Sequence, residues 1–458
     1  MKPMEVPQQV AQLAKLVQGY IVGGAVRDHY LNLPIHDYDI ATPLLPQEIL
    51  QLLSQHKYKS LLTGVKYGTV SVLVDGIANP IEITTYRSEK YSNNRFPDVA
   101  FHTNQKNDLM RRDFTINAMA YDVDKHIVID PYGGLQDIFS RTLRFVGDGA
   151  QRIQEDPLRI LRACRLAANL HFTIHKDTAE NLERYSELLK TISQERIIME
   201  INKAGTYFPD FVSNVIQHKL DPYVFGVDLQ PMHNIIHDQR GSHYGESLYQ
   251  HTINTLLVAQ QHGFNDFVTN IALLFHDVGK IHTQNIVDGK TMFLTHDKVS
   301  TEIFQSTFGA FSGLPDKQRK EIIFLITHHL RFAYMYSLKT IIHTVVDWRI
   351  AGVPWKWIQD LSNVAYADQN LPMLPKKVSF SNLMQQIQLV WTVPRPDGTL
   401  FLKFPATQRK ELIRAMWIEQ THKLLKMYRN MYYTTQRGTF GQQWMRELVA
   451  KHLNDKHL

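Results

Sequence analysis

Residues 20–39 read YIVGGAVRDHYLNLPIHDYD, and the fold of the first part of the chain turns on them. A short apolar strand at 20–22 runs into Gly23-Gly24, and a helix carrying Arg27 and Asp28 follows. Glycines at such a turn let backbone N–H groups approach a phosphate, and the helix N-terminus favours anions. Arg27, in the first helical turn, is placed to pair with a phosphate oxygen. A plain tight turn would use the same glycines. Asp37 and Asp39 come next, and on a strand residues i and i+2 project from one face. Two neighbouring carboxylates repel each other unless a cation lies between them. Mg²⁺ takes oxygen ligands and bridges to substrate phosphates. Glu82, in the β-branched run 81–85, offers a third carboxylate from a neighbouring strand. The alternative for the pair alone is a solvated Asp-x-Asp turn.

Outward from this stretch, residues 1–145 mix two periodicities. A helix is predicted at 10–16, and strands at 20–22, 70–74, 81–85 and 126–129. From Glu155 the pattern is helical, opening at Asp156-Pro157. Residues 221–246 read as a loop, with Pro222, Gly226, Pro231, Gly241 and Gly245. A second helical block spans 247–368, and a basic helical end closes the chain. The predicted class is α+β: a mixed α/β head with a small sheet at 1–145, an all-α neck at 146–225, an all-α module at 226–370 and a basic helical region at 371–458.

Three more segments bear on chemistry. Arg111-Arg112-Asp113-Phe-Thr-Ile-Asn117 sets Asp113 and Asn117 four apart, on one helix face, where an acceptor and an amide can hold sugar hydroxyls with Arg112 free for phosphate. Asp130-Pro-Tyr-Gly133-Gly134-Leu-Gln-Asp137 ends the strand at 126–129 and looks like the hinge between the head and neck of a nucleotidyltransferase family. Glu155-Asp156-Pro157-Leu158-Arg159 places Asp156 and Arg159 three apart. An Asp acceptor with an Arg donor suits cytosine and adenine, each with an exocyclic amine beside a ring nitrogen. Guanine and uracil carry a carbonyl there and would be rejected. Arg162 and Arg165 continue round the helix and suit triphosphate or primer phosphates. A helix salt bridge is the plain alternative for the Asp–Arg pair.

Taken in order, these motifs resemble the class II tRNA nucleotidyltransferases, the CCA-adding enzymes of the polymerase-β superfamily, over roughly residues 15–225. The resemblance implies a nucleotidyltransferase head with Asp37, Asp39 and Glu82 as catalytic carboxylates, Asp37 and Asp39 holding Mg²⁺. It implies nucleotide contacts from Gly24, Arg27, Arg112, Asp113, Asn117, Asp156, Arg159, Arg162 and Arg165. Bacterial poly(A) polymerases share the architecture, but residues 63–70, TGVKYGTV, look like the CCA-adding form. Residues 86–97 look like the loop that accompanies addition of the terminal A, with Asn93-Asn94 where the family usually has Asp-Gly.

The rear half carries a second constellation. Eleven of the 22 histidines lie from His233 to His343. Phe275-His276-Asp277-Val278-Gly279-Lys280 resembles the signature of HD-domain phosphohydrolases, with His251 before it and Asp368 after it. The resemblance implies a divalent metal on His251, His276, Asp277 and Asp368, with His296 and His328 or His329 at positions of additional metal or substrate ligands. Imidazole with carboxylate suits a transition metal or Mg²⁺. An HD module also survives in some proteins as a scaffold.

Composition bounds the reading. The single cysteine, Cys164, excludes an internal disulfide and a multi-cysteine zinc site. No apolar run is long enough to span a membrane, no secretory signal pattern is present, and a cytoplasmic location is expected. The net charge of +6 is concentrated at one end: residues 401–458 hold 11 Lys+Arg against 4 Asp+Glu. A basic, aromatic-rich end fits a polyanion. The expected partners are tRNA, CTP and ATP. Rival readings are an A-adding enzyme, a poly(A) polymerase, and a metal-dependent phosphohydrolase whose front half only binds RNA.

Overall fold

In a computed structural model, the chain is described at residues 3–62, 64–90, 98–101, 104–236, 245–287, 290–331, 343–345, 347–349 and 351–369. The expected basic region 371–458 and residues 91–97 of the front loop lie outside these. The chain divides into two units, 1–224 and 225–458.

The first unit holds a seven-stranded mixed sheet. Its strands are β1 (Tyr20–Val22), β2 (Asp39–Thr42), β3 (Lys59–Leu61), β4 (Thr69–Leu73), β5 (Ile81–Thr85), β8 (Ala120–Asp122) and β9 (Ile127–Ile129). Between β5 and β8 a separate hairpin pairs β6 (Arg87–Lys90) with β7 (Asp98–Phe101). The spatial order is β3-β4-β5-β2-β1-β8-β9. The β2–β5 pairing is parallel and sets Asp39 opposite Glu82; β1 pairs antiparallel with both β2 and β8. The sheet interior is apolar: Ile21, Ile40, Val70, Val72, Ile81 and Ile83 are fully buried. Helix Gln8–Leu16 buries Val10, Leu13 and Ala14, at the i, i+3, i+4 spacing of one face.

The sequence expectation is corrected at Asp37. Strand β2 begins at Asp39, so the two aspartates do not share a strand. The ladder stops because Asp37 would face Pro80, which has no N–H to give. On the other side, Gly23 already turns away with φ 74°.

Past the sheet the first unit is helical. Helix Gly149–Glu155 ends at Asp156, which is extended at φ −147°, ψ 99°. Pro157 disfavours the α region for the residue before it. The chain restarts as helix Leu158–Leu170, buried at nine of 13 positions and packed on helices Gln194–Ala204 and Phe208–Gln217.

The second unit is built on helix Phe267–Phe275, buried at eight of nine positions. Helices Leu248–Gln261, Asp316–His328 and Trp355–Gln369 pack against it. A hairpin, Gln284–Val287 with Lys290–Phe293, interrupts what the sequence reads as continuous helix. Among the described residues no helix is long and apolar enough to cross a membrane.

Candidate functional site

A cavity of about 630 Å³ opens within the first unit. Its walls carry seven arginines and Lys203 against five carboxylates, a positive balance that suits a triphosphate. Gly23, Gly24, Arg27, Asp39, Glu82, Arg112, Asp113, Asn117, Asp156, Arg159 and Arg162 all line it. Asp37 and Arg165 stand outside the lining.

The carboxylate corner follows from the sheet register. Asp39 and Glu82 are parallel partners and share a face. Burial raises the Asp39 pKa; Arg112 opposes the rise, while Glu82 and Asp37 add to it. Carboxylates that lift a neighbour in this way leave room for a positive charge, and hard divalent cations favour such oxygen ligands. Asp37 is exposed just before β2, and its Oδ1 accepts from Asn79 Nδ2 at 2.8 Å. Gly23 adopts φ 74°, ψ −132°, a region open to glycine alone. A Cβ there would lie 2.8 Å from Arg112 Nη1. Arg112 reaches Asp108 only at 3.6 Å, and its buried Nε has no hydrogen-bond partner.

A polar chain crosses the cavity. Arg27 Nε donates to Asp28 Oδ1 at 2.8 Å and Nη1 to Asn117 Oδ1 at 2.7 Å. Asn117 Nδ2 donates to Asp113 Oδ1 at 3.1 Å, and Arg162 Nε to Asp113 Oδ2 at 2.9 Å. Burial alone would raise the Asp113 pKa, but Arg162 and the bonds from Asn117 and the Phe114 amide hold it well below the carboxylate range. Asp113 and Asn117 meet without the expected helix, because Thr115–Asn117 is a single 3₁₀ turn.

Three arginines differ from expectation. Arg162, expected at triphosphate or primer phosphates, lines the cavity and gives its Nε to Asp113. Arg165 Nε donates to Glu200 Oε2 at 2.7 Å, which turns it from the cavity. Arg159 is buried and donates to Arg152 O at 2.9 Å, Glu155 Oε2 at 2.8 Å and Arg111 O at 3.0 Å. Asp156 therefore pairs with Arg196, at 3.1 and 3.2 Å, and not with Arg159. Arg196, Met199, Glu200 and Lys203 line the cavity from helix Gln194–Ala204 and escaped the sequence reading. Their 3–4 residue spacing, a polar face on a helix, was the available signal.

The second unit gathers its own cluster. Ligand atoms of His251, His276, Asp277 and Asp368, all buried, lie within 4.8 Å of one another, as do those of Asp277, His296 and His329. His276, His296 and His329 each bring Nδ1 within 2.6–2.7 Å of the carbonyl three residues back. A carbonyl only accepts, so each Nδ1 carries the proton and each Nε2 faces the centre. His296 Nε2 stands 3.1 Å from Asp277 Oδ1, and neither atom, nor His329 Nε2, has a hydrogen-bond partner. A lone pair facing a carboxylate oxygen is an arrangement that a cation relieves, so the donor set fits a metal. Burial opposes protonation of His276, yet Asp277 and Asp368 push its pKa up to about 10, so without a cation its Nε2 carries a proton as well, which a metal would displace. His328 stays out of the cluster. It packs against Phe324 and Trp348 at 4.8 and 5.2 Å, and burial, with Arg331 nearby, lowers its pKa to about 4.

Comparison with known proteins agrees with this division. Residues 19–144 match the poly A polymerase head domain, 171–204 the probable RNA- and SrmB-binding site of polymerase A, and 248–352 the HD domain. A CCA-adding enzyme of Lactobacillus johnsonii is 47% identical over 190 residues, 41% of this chain and 46% of that one. A CCA-adding enzyme of Leuconostoc citreum is 42% identical over 238 residues, 49% and 57% of the two chains. The chain thus spans about half the length of the curated relatives it matches. The fold resembles Bacillus stearothermophilus CCA-adding enzyme in complex with CTP, at TM-score 0.64 and 22% identity, over 94% of this chain and 100% of that one. It also resembles Thermotoga maritima CCA-adding enzyme complexed with tRNA, at TM-score 0.55 and 18% identity, over 98% and 96% of the two chains.

Proposed function

We propose that this chain, with its poly A polymerase head, RNA-binding segment and HD domain, is a template-independent nucleotidyltransferase that adds or repairs the 3′-terminal CCA of tRNA in the cytoplasm. The tRNA 3′ hydroxyl attacks the α-phosphorus of CTP, twice, and then of ATP, and pyrophosphate leaves. The observation that carries this reading is the cavity whose lining brings together the Asp39–Glu82 pair, Arg112 and Asp156. Asp37 and Asp39 would hold Mg²⁺, with Glu82 as the third carboxylate; bound there, the cation supplies charge neutralisation for the entering hydroxyl and the departing pyrophosphate. Gly24 and Arg27 hold the triphosphate, Arg112, Asp113 and Asn117 the ribose side, and Asp156 and Arg159 the base edge. Arg162 and Arg165 brace this constellation through Asp113 and Glu200. The domains are read as head 1–145, neck 146–225, HD module 226–370 and a tRNA-binding end 371–458. Incubation with tRNA ending in CC, in C or in neither, with each nucleotide singly, tests the proposal and separates it from A-only addition or poly(A) synthesis.

A second activity is proposed for the rear unit: hydrolysis of a phosphoester at RNA ends, such as a 2′,3′-cyclic phosphate. The unpartnered Asp277 Oδ1, His296 Nε2 and His329 Nε2 favour it. His251, His276, Asp277 and Asp368 would hold one divalent cation, and Asp277 with His296 and His329 a second. Bound there, the cation supplies a water acidic enough to be a nucleophile near neutral pH. Metal analysis with a cyclic-phosphate assay decides: metal with hydrolysis supports it, and metal without hydrolysis makes the module a scaffold.

A further inference from the structure

Asp156 is a poor base reader if its carboxylate can rotate. It sits in a two-residue break between helices, extended and about a quarter exposed; its backbone N–H donates to Arg152 O at 3.3 Å and its carbonyl accepts from the Arg159 N–H at 3.0 Å, which leaves the side chain to be fixed by its own contacts. Two contacts hold its side chain. The Leu158 N–H donates to Oδ1 at 3.2 Å. Arg196 Nη2 spans both oxygens, at 3.2 Å to Oδ1 and 3.1 Å to Oδ2. Each carboxylate oxygen has about two acceptor sites. Oδ1 is then filled, by Leu158 and Arg196, and Oδ2 keeps one site open. Arg159, the partner expected from spacing, makes no bond to the Asp156 carboxylate: its Nη1 donates to Glu155 Oε2 and Arg152 O and its Nη2 to Arg111 O.

We propose that Arg196 is a positioning residue for base selection: by clamping Asp156 it leaves one oriented acceptor, matched to one exocyclic amine of the incoming nucleotide. This rests on the reading of Asp156 as a base-edge contact. Cytosine and adenine satisfy that acceptor. Uracil and guanine set a carbonyl oxygen against it, and the unpaired buried acceptor rejects them. The second neck helix thus does part of what a nucleic-acid template does elsewhere: it fixes the hydrogen-bonding pattern that the base must match.

The test compares kcat/KM for CTP, ATP, UTP and GTP in wild type, R196A, R196K, R196Q and D156A, on tRNA awaiting its first C and on tRNA awaiting its A. R196A and R196Q are expected to lower CTP-over-UTP and ATP-over-GTP discrimination at least about tenfold, with R196K restoring most of it, since loss of a buried hydrogen-bonding match is worth orders of magnitude in selectivity. D156A should relax discrimination too, and adding R196A to it should change the ratio no further. If the Arg196 variants slow all four nucleotides alike while D156A relaxes selection, the positioning role is overturned and the Asp156 reading stands. If D156A leaves the ratios unchanged, the Asp156 reading fails and the Arg196 proposal with it. R196Q keeps most of the side-chain volume, so a folding defect confined to R196A does not obscure the result.

Discussion

At the scale of single residues, charge placement decides the behaviour of the front site. Burial and neighbouring carboxylates raise the Asp39 pKa, a setting that a shared cation would relieve. Asp39→Ala is expected to abolish CTP incorporation without lowering the unfolding free energy, because it removes a carboxylate whose charge is opposed by burial and by two neighbouring carboxylates. Incorporation near the wild-type rate would contradict the assignment. Asp113 behaves oppositely, since Arg162 and Asn117 depress its pKa. A depressed folded pKa contributes stability above the unfolded value and loses it as pH falls through the folded one. Asp113→Asn should therefore cost about 2 kcal/mol at neutral pH, a modest figure for a pair whose arginine is partly exposed. The gap between wild type and variant should shrink as pH drops below about 4. Urea titrations at pH 7, 5 and 3 read this directly, and a gap independent of pH would contradict it.

At the scale of elements, the turn after β1 combines a backbone demand with a packing demand. Gly23 needs a positive φ, and its missing Cβ makes room for Arg112 Nη1. Gly23→Ala should destabilise the first unit by about 1–3 kcal/mol through the strained backbone. Displacing Arg112 should also weaken nucleotide binding at least about tenfold, as losing a charge-assisted bond of about 1.4 kcal/mol or more does. Isothermal titration with CTP checks it; unchanged affinity would mean that Arg112 does not contact nucleotide. This same stretch shows what sequence could reveal. β1 and β5 are legible because they are rich in β-branched residues and are bounded by Gly23 after the first and Pro80 before the second. β3 is not, because Lys59–Leu61 alternates poorly and depends on β4 for its place. The Asp156–Arg159 pairing fails because spacing assumes one helix, and Pro157 breaks it. The Gln284–Val287 hairpin escapes a helical reading of this block although Asp288-Gly289 is a strong turn signal, because the flanking histidines and the HD pattern favour helix. His276 and Asp277 are legible as a dipeptide; the choice of His329 over His328 requires the helix phase.

At the scale of the whole molecule, each unit gathers its own cluster of polar side chains, the cavity in the first and the histidine–aspartate set in the second. Asp277→Ala should remove the metal of the rear unit, measured by elemental analysis, while CTP incorporation persists, because the two sites share no residue. Coupled loss would contradict separate sites. The net positive end at 401–458 supplies the sequence argument for tRNA contact. Reversing Lys423, Lys426 and Arg429 should flatten the salt dependence of tRNA binding, by about 0.9 in log–log slope for each phosphate no longer neutralised, the value for duplex nucleic acid. The central claim, that protein side chains alone select C and A, is tested most directly by single-nucleotide incubations with tRNA lacking its CCA end. The account predicts two additions from CTP, one addition from ATP only after CC is in place, and essentially none from UTP or GTP. Runs of A from ATP on any 3′ end, or incorporation indifferent to the base, would contradict it.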